Sequence, residues 1–154
     1  MGEPNLQFDV RIREAKPSDL PGVIALAVEA LMSDPYPNLV ISRPRIYQAA
    51  REGVSSDAHF AWVAERNGTV VGSVVALTSP MSFHERSQAN VVQFYCKAPG
   101  HGIKLLRELM AWYKARRSLK AIVFTLEHNA DPRIGKILTR LGLTKVLPVY
   151  MGTK

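Results

Sequence analysis

The sequence predicts an α/β domain, a central mixed β-sheet flanked by helices. Three observations carry that prediction. Asn67-Gly68 separates two β-prone runs, His59 to Glu65 and Thr69 to Leu77, and both turn residues tolerate positive φ, which is a hairpin signal. An apolar run (Val91, Val92, Phe94, Tyr95, Cys96) leads through a glycine-bearing turn into a long amphipathic segment beginning at Ile103. A second apolar run, Ala121 to Leu126, precedes Asp131-Pro132, a helix start with Asp as cap and Pro at the first helical position. Hairpin strands followed by strand–helix–strand units give a sheet of mixed direction with helices on its faces.

In order, residues 1–8 read as a loose leader, and 9–154 as a single domain. Val10, Ile12 and Ala15 begin a strand that alternates with Arg11 and Arg13 and so has one wet face. Ser18 reads as an N-cap for a helix carrying Leu20, Val23, Ile24, Ala27, Val28 and Leu31 at helical spacing, with Pro21 tolerated in the first turn. Ser33 to Arg45 is a proline-rich loop, followed by a short helix from Pro44 to Glu52. The hairpin comes next, with Trp62 as core filling and Gly72 marking a bulge or a close backbone approach. Ser79 to Ser87 is a polar connection to the central strand. After the glycine turn, Ile103, Leu105, Leu106, Leu109, Met110, Trp112 and Tyr113 make a stripe wide enough for a helix packed on a sheet. Ala121 to Leu126 fits a buried interior strand. The last helix runs through Ile134, Ile137, Leu138 and Leu141 and stops at Gly142, a C′ glycine. Leu143 to Tyr150 closes the chain as a final strand.

Composition excludes several classes. No apolar run is long enough to cross a bilayer and the polar N-terminus has no signal-peptide character, so no membrane is expected and the default location is cytoplasmic. One cysteine, Cys96, rules out an intrachain disulfide and a multi-cysteine zinc site. The four histidines have no ligand spacing with cysteine or paired carboxylates, so no metal is expected. The net charge of +7 favours anionic partners. The densest basic cluster, Lys114, Arg116, Arg117 and Lys120, reads as a solvated helix face. A basic patch without a docking motif makes nucleic acid an unlikely partner.

The chemistry concentrates at Lys97-Ala98-Pro99-Gly100-His101-Gly102. A strand, a glycine turn and a helix N-terminus offer backbone N–H groups without intrahelical partners and the positive end of the helix dipole. Glycine lets the backbone approach a phosphate or pyrophosphate. An ordinary strand-to-helix turn is the competing explanation. The segment lacks the Gly-Lys-Ser/Thr of a P-loop and the third glycine of a dinucleotide fingerprint.

Lys97-x-x-Gly100-x-Gly102 resembles the Gln/Arg-x-x-Gly-x-Gly/Ala signature of the GNAT family of N-acetyltransferases, with Lys in the first position. The opening strand, Lys16-Pro17-Ser18-Asp19-Leu20 and the element order are similar too, so the resemblance covers nearly the whole chain. It implies a GNAT-like acyl-CoA N-acyltransferase fold and acetyl-CoA as co-substrate, with direct transfer of the acetyl group to a primary amine of a small molecule or protein. It also implies that the central strand splays from its neighbour. Val92 to Cys96, including Phe94, Tyr95 and Cys96, would then offer backbone to the pantetheine arm. Lys97, Gly100, His101, Gly102, Ile103 and Lys104 would lie at the phosphates, and Asn129 would bond the pantetheine. For each side chain a bland use stands beside this one: solvated lysines, a backbone role for His101, a turn role for Asn129. Tyr36 and Arg43 either face the acceptor or are solvent-exposed loop residues.

One position departs from the family. Its members often carry a tyrosine four residues before the glycine that ends the last helix, and here that position is Leu138, which cannot protonate a leaving thiolate. Tyr150 and Tyr95 are the candidate acids, with water as a third source. Glu65, Glu85, His84 and His128 are all nameable as general base. An acetyl-Cys96 intermediate is conceivable, although the resemblance implies direct transfer. The alternative function is a catalytically inactive CoA-binding or protein-interaction domain on the same fold. A homodimer is a further expectation, since the family often dimerises.

Overall fold

The computed structural model describes residues 9–32, 41–126 and 131–146. Within them the elements are β1 (Val10–Glu14), a single 3-10 turn (Pro17–Asp19), α1 (Leu20–Leu31), α2 (Arg43–Ser55), β2 (Phe60–Arg66), β3 (Thr69–Pro80), β4 (Ser87–Cys96), α3 (His101–Ala115), β5 (Leu119–Phe124) and α4 (Pro132–Arg140). The expected order is present up to the last strand. Leu143 to Val146 lie outside any strand, and the remainder of that predicted element falls outside the described residues.

The five strands lie in the order β1-β2-β3-β4-β5. The first three pairings are antiparallel, while β4 and β5 run parallel with α3 as their crossover. The hairpin turn is as expected, with Asn67 at φ 50° and Gly68 at φ 79°. Strand alternation divides the interior into two cores. Phe60 and Ala64 face Leu105, Leu106 and Leu109 of α3 and Leu138 of α4. Ala61 and Val63 face Leu20, Val23 and Ala50 of α1 and α2. Helices thus cover both faces of the sheet, and Trp62 packs against the α3 side with its ring stacked 6.0 Å from that of Phe60.

One correction concerns the first helix. Ser18 is not a cap; it sits inside the 3-10 turn, and α1 begins at Leu20 with no side-chain cap. The adjacent Asp19 carboxylate accepts the Lys16 N–H at 2.7 Å and two Arg13 guanidinium bonds at 2.7 and 2.8 Å, which tightens the approach to the helix. Gly72 satisfies both of its expected roles. The β2–β3 register shifts beside it, leaving Val71 unmatched, and a Cβ at Gly72 would lie 2.7 Å from Cys96 Sγ. No helix among the described residues is long and apolar enough to cross a membrane.

Candidate functional site

The site begins as a fault in the sheet. In the β3–β4 pairing Val75 lies opposite Gln93 and Ala76 opposite Val91, so Val92 is an extra residue, a β-bulge. On the other side of β4 the pairing with β5 ends at Val91↔Phe124. From Gln93 to Cys96, β4 is therefore paired to β3 on one edge, and from Val92 onward it has no β5 partner on the other. On the α3 face the rings of Phe94 and Phe124 meet edge-on, centroids 5.8 Å apart, just where the two strands part. Among the described residues, this edge of β4 has no strand partner and leads straight to the glycine turn.

The turn is anchored at both ends. Lys97 N–H bonds Val71 O at 2.8 Å, Ala98 is buried, and His101 N–H bonds Ala98 O at 3.2 Å. The His101 ring folds back locally, with Nδ1 3.0 Å from Pro99 O. The N–H groups of Gly102 and Ile103, in the first turn of α3, have no intrahelical carbonyl to bond. The two glycines have different causes. Gly100 caps α3 at φ 76°, a left-handed conformation, and a Cβ there would meet nothing within 4 Å. Gly102 is a packing position: a Cβ would lie 3.2 Å from Phe94 Cζ and 3.5 Å from Cys96 Cβ. Its missing side chain seats the helix on β4, whereas the sequence reading assigned both glycines to the approach of an anion.

Charged groups frame this turn on the α1 side. Lys97 Nζ pairs with Glu29 Oε2 at 3.1 Å, and the Tyr95 hydroxyl donates to Glu29 Oε1 at 3.4 Å. Burial, then the Glu29 carboxylate, push the Tyr95 phenol upward, so it stays protonated at neutral pH. An open cleft of about 370 Å³ lies between α1 and the start of β3, with Glu29 and Lys97 among its lining residues. Burial also raises the Cys96 thiol, whose Sγ sits 3.5 Å from Ala98 O, and a thiol held protonated is a poor nucleophile. Lys104 is exposed on the first turn of α3.

Other sequence candidates distribute as follows. Glu65 is committed to Arg13 at 2.7 Å, near the opposite edge of the sheet. His84 and Glu85 lie in the β3–β4 connection, at the far end of β4 from the glycine turn. Leu138 is a buried member of the α3-side core, so that position serves packing. Tyr150, Asn129, His128 and Tyr36 fall outside the described residues. Among the described residues no cluster of three or more His, Cys, Asp or Glu could hold a metal ion. The residue that sequence reasoning missed is Glu29. It occupies an unremarked polar position on α1, and only the packing of α1 across β4 brings it to Lys97.

No protein-family model and no curated protein sequence matches this chain. Solved structures match it over nearly its whole length. A "predicted acetyltransferase" from Clostridium acetobutylicum, solved with acetyl-CoA, has TM-score 0.71 at 13% identity, covering 94% of this chain and 96% of that one. AAC(6')-Iy, in complex with the bisubstrate analog CoA-S-monomethyl-acetylneamine, has TM-score 0.67 at 12% identity, covering 94% and 97%. An aminoglycoside acetyltransferase from an uncultured soil metagenomic sample, in complex with sisomicin, has TM-score 0.63 at 14% identity, covering 94% and 97%. At these identities the likeness is one of architecture, and it agrees with the resemblance carried by Lys97-x-x-Gly100-x-Gly102: the chain has the fold of the GNAT acetyltransferases.

Proposed function

We propose that this chain is an acetyl-CoA-dependent N-acetyltransferase of the cytoplasm that moves an acetyl group directly to a primary amine. The carrying observation is the unpaired edge of β4 from Val92 to Cys96, running into the N-terminus of α3. An extended arm carrying amides pairs with such an edge as a strand does, and a pyrophosphate suits the N–H groups of Gly102 and Ile103 and the helix dipole beyond Gly100. Fold neighbours solved with acetyl-CoA and with a CoA bisubstrate analog support this reading. Phe94, Tyr95 and Cys96 then contribute backbone, and Lys97, His101 and Lys104 flank the phosphates. Asn129 is assigned to the pantetheine arm.

The reaction asks little more of the protein. The amine attacks the thioester carbonyl, the C–S bond breaks, the nitrogen gives up a proton, and the thiolate takes one up. Tyr150 and Tyr95 are the assigned proton donors, and the protonated state of the Tyr95 phenol suits that role. The raised Cys96 thiol favours direct transfer over an acetyl-cysteine intermediate. Burial of Leu138, where a donor phenol is absent, favours a second reading: a coenzyme-binding domain without catalysis.

Calorimetric titration of acetyl-CoA into the wild type and Lys104→Glu tests the binding step. Micromolar affinity in the wild type, weakened about tenfold or more by the reversed charge at low salt, is expected. An acid in the first turn of a helix is itself favourable, so the melting temperature should not fall. Absence of binding by the folded wild type overturns both readings. Binding without thiol release across an amine panel selects the second.

A further inference from the structure

We propose that the outer surface of the α3/α4 layer docks on the phosphate backbone of nucleic acid without reading its sequence. This proposal shares Lys104 with the acetyl-transfer reading and otherwise stands apart from it. Residues 101–154 hold eleven Lys and Arg against three Asp and Glu, while residues 1–100 hold nine against ten. The whole positive excess of the chain thus arises in its C-terminal third. In sequence these cations are scattered, but the fold gathers them. Both helices pack on the same side of the sheet through Leu105, Leu106, Leu109 and Leu138, which turns the polar stripes outward. Lys104, Arg107 and Lys114 lie exposed on α3, and Lys136 and Arg140 on α4. Lys120 lies exposed near the start of β5, unmatched where the β4–β5 register shifts. Among the described residues no carboxylate forms an ion pair with any of these six. Among the described residues, the one acid exposed between them is Glu108, since Asp131 is taken by Arg133.

Two features select the partner. Lys114 lies about 15 Å along α3 from Lys104 at a rise of 1.5 Å per residue, so the track extends well beyond the turn at Gly100. In addition, none of the large apolar side chains exposed among the described residues lies on α3 or α4. A protein partner needs buried aromatic or aliphatic anchors and a bilayer needs an inserted apolar face. A surface of fixed cations without either is complementary to a repeating phosphate chain.

The test is fluorescence anisotropy of a labelled mixed-sequence duplex DNA and an RNA strand, titrated with the full chain from about 50 to 200 mM salt. The expected result is binding to at least one of them, with log affinity falling linearly in log salt. Two double variants, Lys114→Glu with Lys136→Glu and Arg107→Gln with Arg140→Gln, should each weaken binding about tenfold or more and flatten the salt slope. Arg51→Glu on α2 should leave binding within about twofold, well short of the tenfold loss. No binding at the lowest salt overturns the proposal, as does binding that neither double variant changes. Binding to phosphatidylserine vesicles with none to either nucleic acid overturns it in favour of a membrane surface.

Discussion

Glu29 and Lys97 set the local electrostatics of the glycine turn. Their side chains are each 46% exposed, so the ion pair is a weak, screened one. It nevertheless holds the lysine toward α1 rather than toward the N-terminus of α3. Glu29→Gln should therefore free Lys97 and tighten acetyl-CoA two- to fivefold, since an exposed pair is worth at most about 1 kcal/mol. Weaker binding by the variant, measured calorimetrically, would mean that Glu29 positions the lysine instead of competing for it. Asp19 supplies a second prediction at this scale. Arg13 holds its carboxyl below the ordinary value, so its contribution is complete above an unfolded pKa of about 3.9 and fades as pH falls through the folded value. Asp19→Ala should cost about 1–3 kcal/mol at pH 7 and much less at pH 3, read from denaturant melts at the two pH values.

At the scale of elements, the two glycines of the turn should behave differently. Gly100→Ala forces a left-handed alanine and should cost about 1–2 kcal/mol with the surrounding contacts unchanged. Gly102→Ala pushes α3 off Phe94 and should cost about 1–3 kcal/mol through overpacking; a smaller side chain at position 94 should recover part of that loss but leave Gly100→Ala unaffected. Gln93 ties β4 to α1, donating to Val23 O at 3.0 Å and to the buried Ser73 Oγ at 2.6 Å. Gln93→Leu leaves the buried Ser73 hydroxyl without this partner and should lower stability by about 1–3 kcal/mol. Elements of this kind were readable from the chain where local chemistry dictates them. Asn67-Gly68 requires its turn, Asp131 caps α4 by accepting Arg133 N–H at 2.9 Å, and the stripe from Ile103 to Tyr113 requires a sheet to pack on. The role of Gly102 was not readable, because its reason is a phenylalanine ring on another element. Ser18 had the right residue type for a cap, yet Arg13 drew Asp19 into a different geometry.

At the scale of the molecule, the order of elements determined the mixed sheet, since a hairpin followed by a strand–helix–strand unit has few other solutions. The splay at Val92 belongs to this level. Nothing in its own residue types marks it: only the β3 register, which skips Val92, and the β5 pairing, which stops at Val91, reveal it. The sequence likewise contains every cation of the C-terminal third, but the shared face of α3 and α4 emerges only from packing.

The gap beside β4 has a consequence for how the protein is kept. Among the described residues this edge is unpaired over five positions, two of them aromatic, and such an edge is a template on which an extended chain can grow. A ligand arm that occupies the gap also seals it. Without acetyl-CoA the protein should self-associate with concentration on mild warming and bind an amyloid dye; with the co-substrate present both signals should fall. The feature read here as a docking slot would then make the co-substrate a guard against aggregation.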